Sequence, residues 1–114
     1  SMTDYNFGDI VLVPFPFTDQ STIKKRQAVF VSSDAYNRQR PVGSIMAVTS
    51  QVGSVDYVGV TTITDWQAAG LLKPSVFKPI FTTVEKDLIL KKLGRISSQD
   101  RSALKTMLLT SLGE

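Results

Sequence analysis

The chain has 114 residues, of which 42% are hydrophobic and 20% are charged, and this length predicts one domain spanning residues 2–114. It contains no cysteine and no histidine, which excludes a disulfide, a thiolate nucleophile, a cysteine-type zinc site and every serine–histidine catalytic arrangement. Ser1 is left out of the domain because it resembles a residue that remains after tag removal. With no signal segment and no bilayer-length apolar run, the chain is expected in the cytoplasm.

Charge is distributed unevenly along the chain, although the net charge is only +3. Residues 1–20 carry three negative side chains and no positive one, whereas residues 21–45 carry five positive side chains and one negative. A basic segment of this kind favours a polyanionic partner such as nucleic acid, although an ordinary solvated loop can have the same composition. The basic residues of the segment are Lys24, Lys25, Arg26, Arg38 and Arg40.

The first half of the chain predicts short strands separated by polar loops. The β-branched apolar run at residues 10–13 is followed by Pro14 and Pro16, so a strand that gives way to a loop is expected. Residues 18–27 are polar and basic and are predicted to form the rest of that loop. A second strand is expected at residues 28–31, where the sequence again becomes apolar and β-branched.

The middle of the chain predicts two further strands and one helical turn. A polar connection over residues 34–43 leads to a third strand at residues 45–48, and a fourth strand is expected at residues 57–60. A Thr-Asp pair then caps a predicted helical turn at residues 66–69. Gly70 is suited to end that turn in the left-handed conformation.

The last third predicts a final strand region and one longer helix. Residues 76–83 favour an edge or bulged strand because Pro79 interrupts them, and residues 88–93 fit either a helical turn or a last strand. Ser97 or Ser98 can cap an amphipathic helix. Its apolar stripe consists of Ala103, Leu104, Met107, Leu108 and Leu112. These elements predict an α+β, mainly-β protein: a small antiparallel barrel with a C-terminal amphipathic helix.

Several segments, taken in order, resemble a known family. In the first half they are FGDIVLVPF at residues 7–15, KRQAVFVSSD at residues 25–34 and AVTSQ at residues 47–51. In the second half they are AGLLKPS at residues 69–75 and KLGRIS at residues 92–97. Their order and spacing resemble the MazF/PemK family of ribonuclease toxins, and the resemblance covers residues 6–112.

The resemblance implies an SH3-like barrel that commonly forms a homodimer. It implies a type II toxin that cuts single-stranded RNA at short sequences and is held inactive by a cognate antitoxin protein. It also implies catalytic roles for Arg26 and Thr49, which match the family's arginine at the start of the second strand and its threonine at the end of the third.

The chemistry of these two side chains is compatible with RNA cleavage by attack of a ribose 2′-OH. A guanidinium presents several fixed donors to phosphate oxygens and a threonine hydroxyl adds another, so the pair can stabilise a developing negative charge. No metal or other cofactor is expected, because a chain without histidine or cysteine and with scattered carboxylates does not readily assemble a catalytic metal site. No general base is evident, since arginine is a poor base and Ser21 stands where some family members have a carboxylate.

Other side chains are candidates for RNA binding. They are Lys24, Lys25, Arg38, Arg40 and Gln51. The lysines attract phosphates, the amide of Gln51 can bind a base edge, and the two arginines could line either an RNA path or a dimer edge. Trp66 is expected to pack on the barrel, with base stacking as the alternative. Residues 24–40 are also the predicted docking surface for an acidic, partly disordered antitoxin segment.

Three functions from different classes fit the sequence. The first is a metal-independent endoribonuclease toxin, and the second is a toxin-fold protein that poisons a protein target such as DNA gyrase. The third is a non-catalytic nucleic-acid-binding barrel. Arg26 with Thr49 favours the first over the second. The third stays open because Gln27 stands where the family usually has proline and because the carboxylate is missing.

Overall fold

The computed structural model describes residues 4–16, 23–50 and 60–112 of the chain. In chain order the elements are β1 (Asp9–Pro16), β2 (Ile23–Phe30), α1 (Asp34–Gln39), β3 (Val42–Thr49), β4 (Thr61–Thr62), β5 (Val76–Glu85), a 3-10 turn (Lys86–Leu88), β6 (Lys91–Arg95) and α2 (Ser98–Ser111). The strands form one sheet in the order β4-β5-β3-β2-β1-β6, and every neighbouring pair is antiparallel. The curled sheet and the C-terminal helix confirm the predicted mainly-β fold. None of the helices among these residues is long and apolar enough to cross a membrane.

β1 and β2 are longer than predicted. β1 continues through both prolines to Pro16 and pairs with β2 over this whole length, whereas its pairing with β6 ends at Leu12. A proline is tolerated where one side of a strand has no ladder, because its missing N–H can face that side. The prediction of a loop immediately after residue 13 was therefore wrong. The prediction of a loop at residues 23–27 was wrong as well, because these residues belong to β2 and pair with β1.

The break that Pro79 predicts in β5 is present as a bulge. Met46 of β3 pairs with Phe81, and the next residue, Ala47, pairs with Lys78. Pro79 and its successor are therefore extra residues on the β5 side, which removes the need for a ladder hydrogen bond from the proline.

The predicted polar connection at residues 34–43 contains a short helix, α1, that the sequence interpretation missed. The Ser33 hydroxyl accepts a hydrogen bond from the Tyr36 N–H at 3.2 Å and so caps the helix. Asn37 is buried, accepts a hydrogen bond from the Ser32 hydroxyl and donates to the Ser32 carbonyl at 3.1 Å. These contacts fasten α1 to the end of β2. The predicted fourth strand falls almost entirely on residues outside the described ranges.

Two apolar clusters lie on opposite faces of the sheet, as the alternation of strand side chains requires. The first contains Ile10, Val29, Met46, Phe77, Leu104 and Met107, so α2 covers this face. Trp66 packs against the first cluster, which confirms its predicted packing role. The second contains Tyr5, Val11, Val13, Ala28, Phe30 and Ile45.

The start of α2 is tied to the turn that precedes β5. Ser97 caps the helix as predicted, by accepting a hydrogen bond from the Asp100 N–H at 3.2 Å. The carboxylate of Asp100, which is fully buried, accepts hydrogen bonds from the N–H groups of Thr64 and Asp65, both at 2.8 Å. Gly70 ends that turn at φ +86°, which confirms the predicted left-handed stop.

Candidate active site

The register of β2 and β3 brings Arg26 and Thr49 to the same end of the sheet. Gln27 and Val48 are the last residues paired between these strands, so Arg26 and Thr49 are the next residue on each strand. Directly opposed residues share a face and successive residues alternate, so Arg26 and Thr49 also share a face. By the same alternation this is the face of the second apolar cluster. The structure thus brings together the two residues that the family resemblance singled out.

Arg26 and Thr49 line one open cleft of about 210 Å³. Its described lining consists of Leu12, Lys25, Arg26, Gln27, Val48, Thr49 and Ser50. Leu12, Gln27 and Val48 are opposite one another in the sheet and lie on the face of the first cluster, so the cleft is not confined to the face of the second. Arg26 is exposed and Thr49 is half-buried, so solvent reaches both side chains. The cleft is small and shallow, which suits a phosphodiester on an extended strand better than an enclosed small molecule.

Each of the two residues is held in place by the strand on its outer side. Arg26 pairs with Val13 of β1, and Thr49 pairs with Val76 of β5. Their backbones are therefore parts of the sheet and not of a free loop. A site built on paired strands is more rigid than a site on a loop, which favours preorganised donors for a developing charge.

Lys78 is a third polar residue of this face, and sequence reasoning missed it. It pairs with Ala47, which is two residues before Thr49 and therefore points to the same side of the sheet. Lys78 is half-buried. The sequence alone placed it in a strand broken by a proline, and only the register across the β5 bulge shows which face it occupies.

The predicted basic segment divides between two places. Lys24 and Lys25 precede Arg26 on β2 and are exposed, so they lie next to the candidate site. Arg38 lies in the last turn of α1 and Arg40 caps its end, just before β3 begins. Because Thr49 ends that eight-residue strand, the two arginines lie roughly 20 Å or more from it. Gln51 lies outside the described residues.

The described residues that line the cleft include no carboxylate. Asp9, by contrast, is buried on β1 and forms ion pairs with Lys92 at 3.2 Å and Arg95 at 3.1 Å. Its role is structural, in line with the turn that its carboxylate makes with the Asn6 N–H. No group of three potential metal-ligating side chains occurs among the residues that the structure describes.

Burial raises the pKa of Tyr5 above its ordinary value of 10.0, and the nearby charge of Asp9 raises it further. The ring of Tyr5 stacks on Phe30 with 5.0 Å between centroids, and the Lys92 ammonium lies 5.5 Å from its centre. This tyrosine belongs to the second apolar cluster and lies at the far end of the face from Arg26. It stabilises the fold and is remote from the cleft.

Comparison with known proteins agrees with the sequence resemblance. The family of PemK-like, MazF-like toxins of type II toxin–antitoxin systems matches residues 6–112, so the chain belongs to this family. A comparison with curated proteins returned no significant match.

Solved structures share the fold at low sequence identity. An endoribonuclease in complex with its cognate antitoxin from Mycobacterial species has a TM-score of 0.75 at 18% identity, over 98% of this chain and 96% of that one. An endoribonuclease from Mycobacterial species has a TM-score of 0.75 at 19% identity, over 98% and 94%. A MazE–MazF structure (Form-II) from Deinococcus radiodurans has a TM-score of 0.72 at 17% identity, over 97% of each chain. At these identities the likeness establishes the fold alone.

Proposed function

We propose that the protein is an endoribonuclease toxin that cuts single-stranded RNA at selected sequences without a metal. The observation that supports this most is the meeting of Arg26 and Thr49 in one open cleft, in a chain that belongs to the toxin family. Similar folds in proteins described as endoribonucleases add weight to it. Because its proposed substrate is cellular RNA, the proposal also places the protein in the cytoplasm.

In this proposal the substrate's own 2′-OH loses its proton to water as its oxygen attacks the neighbouring phosphorus, and the bond from phosphorus to the 5′-oxygen breaks. The leaving oxygen takes up a proton, and the products end in a 2′,3′-cyclic phosphate and a 5′-OH. Arg26 donates hydrogen bonds to the phosphate oxygens on which charge develops, and Thr49 donates one more. A protonated guanidinium has no acceptor and a neutral hydroxyl is a weak base, so we assign Arg26 and Thr49 charge stabilisation and not proton abstraction.

The lysines around the cleft would hold the RNA backbone. Lys24 and Lys25 are exposed next to Arg26, and Lys78 lies on the same face. Such cations attract phosphates irrespective of base sequence, and their effect weakens with salt. Sequence selectivity would then come from contacts to base edges, for which Gln51 remains a proposed residue.

The proposal includes a cognate antitoxin and a second copy of the chain as partners. Two of the similar structures are complexes described as containing an antitoxin or MazE. An exposed apolar groove of about 400 Å³ between the end of α2 and β5 supports the homodimer, since Phe81, Leu108 and Leu112 line it. Leu112 is 70% exposed in the single chain, and a second copy would cover it.

The experiment that tests the proposed function is incubation of the purified protein with mixed single-stranded RNA, followed by mapping of the 5′ ends of the products. We expect discrete cut sites, 5′-OH ends and equal activity with and without EDTA. A matched RNA with one 2′-deoxy residue at a mapped site should bind but remain intact. Binding without any cleavage would instead identify a non-catalytic nucleic-acid-binding barrel, and activity lost in EDTA and restored by magnesium would exclude the metal-free mechanism.

A further inference from the structure

A second cleft, larger than the first, opens where the end of α1 meets the 3-10 turn and the start of β6. Its volume is about 640 Å³, and its wall includes Tyr5. Five cationic side chains line it: Arg38, Arg40, Lys86, Lys91 and Lys92. Only Asp4 and Asp87 oppose them, so the lining has a net charge of +3, as large as that of the whole chain. We call these five cations and their surroundings the basic cleft.

Most of these charges are not neutralised by the protein. Lys92 is occupied, because its ammonium lies 3.2 Å from the Asp9 carboxylate and donates to the Asp4 carbonyl at 2.9 Å. The other four cations form no ion pair with any carboxylate in the described part of the chain, although two acids line the same cleft. Positive charges gathered on a concave surface raise the local concentration of anions. The cleft is therefore suited to a ligand with several negative charges.

The basic cleft, a shallow hollow and the side chain of Arg26 lie on the face of the sheet that carries the second apolar cluster. This hollow, of about 260 Å³, is lined by Val13, which is the cross-strand partner of Arg26. Its lining also includes Glu85 and Leu88, and Lys86, which lies between these two in the chain, lines the basic cleft. A ligand long enough to bridge about 20 Å can therefore run over this face from Arg26, past the hollow, to the basic cleft.

We propose that the basic cleft is a second binding site for the RNA backbone, which holds a long single strand at a distance from the bond being cut. The choice of RNA rests on the proposed function above. Arg40, which lines the cleft, has its guanidinium 5.6 Å from the centre of the exposed Tyr36 ring, so an aromatic face that can stack on a base lies next to a cleft cation, which supports a nucleic acid. An acidic polypeptide that folds on binding needs apolar anchors, and Leu90 is the one large exposed apolar side chain among the described lining residues.

The test measures binding instead of cleavage, with single-stranded RNA of mixed sequence in which every 2′-OH is methylated. One pool has about 3 nucleotides, too short to bridge the roughly 20 Å between Arg26 and the basic cleft, and the other has about 24. Arg38→Gln with Lys91→Gln removes two charges from the basic cleft. The matched control, Lys73→Gln with Lys105→Gln, removes two charges from exposed positions elsewhere. Circular dichroism checks that both proteins fold.

We expect the long pool to bind the cleft variant about tenfold more weakly than the control, with the slope of log Kd against log salt smaller by about 1.4, or about 0.7 for each lost phosphate contact. The short pool should bind both proteins alike. Equal affinity of the two proteins for the long pool would overturn the proposal, and so would equal weakening for both pools. Weaker binding of poly-glutamate with unchanged binding of RNA would assign the cleft to an acidic protein partner.

A second variant guards against misfolding of the first. Lys86→Gln alone, compared with Lys73→Gln, should weaken the binding of the long pool about threefold and lower the slope of log Kd against log salt by about 0.7. No difference between these two single variants would equally overturn the proposal. Failure of the parent protein to cleave RNA would refute the proposed function, whereas the difference in binding to the long pool would remain.

Discussion

Arg26 and Thr49 lie one residue beyond the last pair of the β2–β3 ladder and on the same face of the sheet. Residues directly opposed in an antiparallel pair have Cβ atoms only about 5 Å apart, so the Gln27–Val48 pair keeps the adjoining Arg26 and Thr49 close to each other. The outer neighbours β1 and β5 fix both backbones through Val13 and Val76. The relationship is therefore that of two hydrogen-bond donors held at a fixed separation by the sheet.

Thr49→Ala should lower RNA cleavage by roughly tenfold, because it removes one donor to the developing charge while the guanidinium remains. Thr49→Ser should keep most of the activity, since it retains the hydroxyl. Single-turnover cleavage of an RNA with a mapped site measures both variants. Ser102→Ala, exposed on α2 and outside the cleft lining, is the control and should cleave like the parent. Equal rates for the Ala and Ser variants at position 49 would show that the hydroxyl has no role.

Asp100→Ala should destabilise the fold by about 3 kcal/mol or more, because the N–H groups of Thr64 and Asp65 lose a charged acceptor in a buried place. The stability of Asp100→Asn should lie between that of Asp100→Ala and that of the parent, since its amide has one acceptor oxygen for two donors. Gln99→Ala, exposed on the same turn of α2, is the control. Urea unfolding monitored by circular dichroism measures the three, and an unchanged midpoint for Asp100→Ala would contradict the assigned role.

Gly70→Ala should destabilise the fold by about 3 kcal/mol or more, through the strain of a positive φ together with a collision. A Cβ at Gly70 would collide with the carbonyl of Leu93, and one at the neighbouring Gly94 would collide with the carbonyl of Ala69. Gly94→Ala should therefore be destabilising as well. Thermal unfolding measures both against Gln67→Ala, an exposed change in the same turn. A Tm within a degree or two of the parent for either glycine variant would show that the two backbones can move apart.

Stability should fall at alkaline pH partly through Tyr5. Its folded pKa is raised above 10.0 by burial first and by Asp9 second, so the unfolded chain loses this proton at a lower pH than the folded one. The contribution is fully present below about pH 10 and is lost as pH rises toward the folded pKa. Urea unfolding between pH 8 and pH 11 should show that the free energy of unfolding falls less with pH for Tyr5→Phe than for the parent. Parallel curves would contradict this assignment.

The sequence predicted the parts of the fold that depend on local chemistry. The Ser97 cap, the left-handed Gly70 and the bulge at Pro79 each follow from the conformational limits of one residue. The extension of β1 through Pro14 and Pro16 was missed, because the penalty for a proline depends on whether a strand lies on both sides. That information is contained in the sheet order and not in the local sequence.

In the candidate site, too, some residues could be predicted from the sequence and others depend on how the strands pair. Arg26 and Thr49 were found through a family resemblance, and the register then showed that they meet. Lys78 was missed because its face depends on a bulge that shifts the register. Arg38 and Arg40 were grouped with Arg26 because they are close in sequence, but α1 and the length of β3 separate them. The role of Asp100 was not evident either, since its partners lie 35 and 36 residues away.

The rate of cleavage by Arg26→Ala at a mapped RNA site tests the central claim most directly. Loss of the guanidinium should lower the single-turnover rate by about 100-fold or more, and Arg26→Lys should recover little because a point charge does not reproduce the planar set of donors. Lys73→Ala, an exposed change away from the cleft, is the control and should cleave like the parent. A folded Arg26→Ala protein that cleaves the same bond at close to the parent rate would contradict the account.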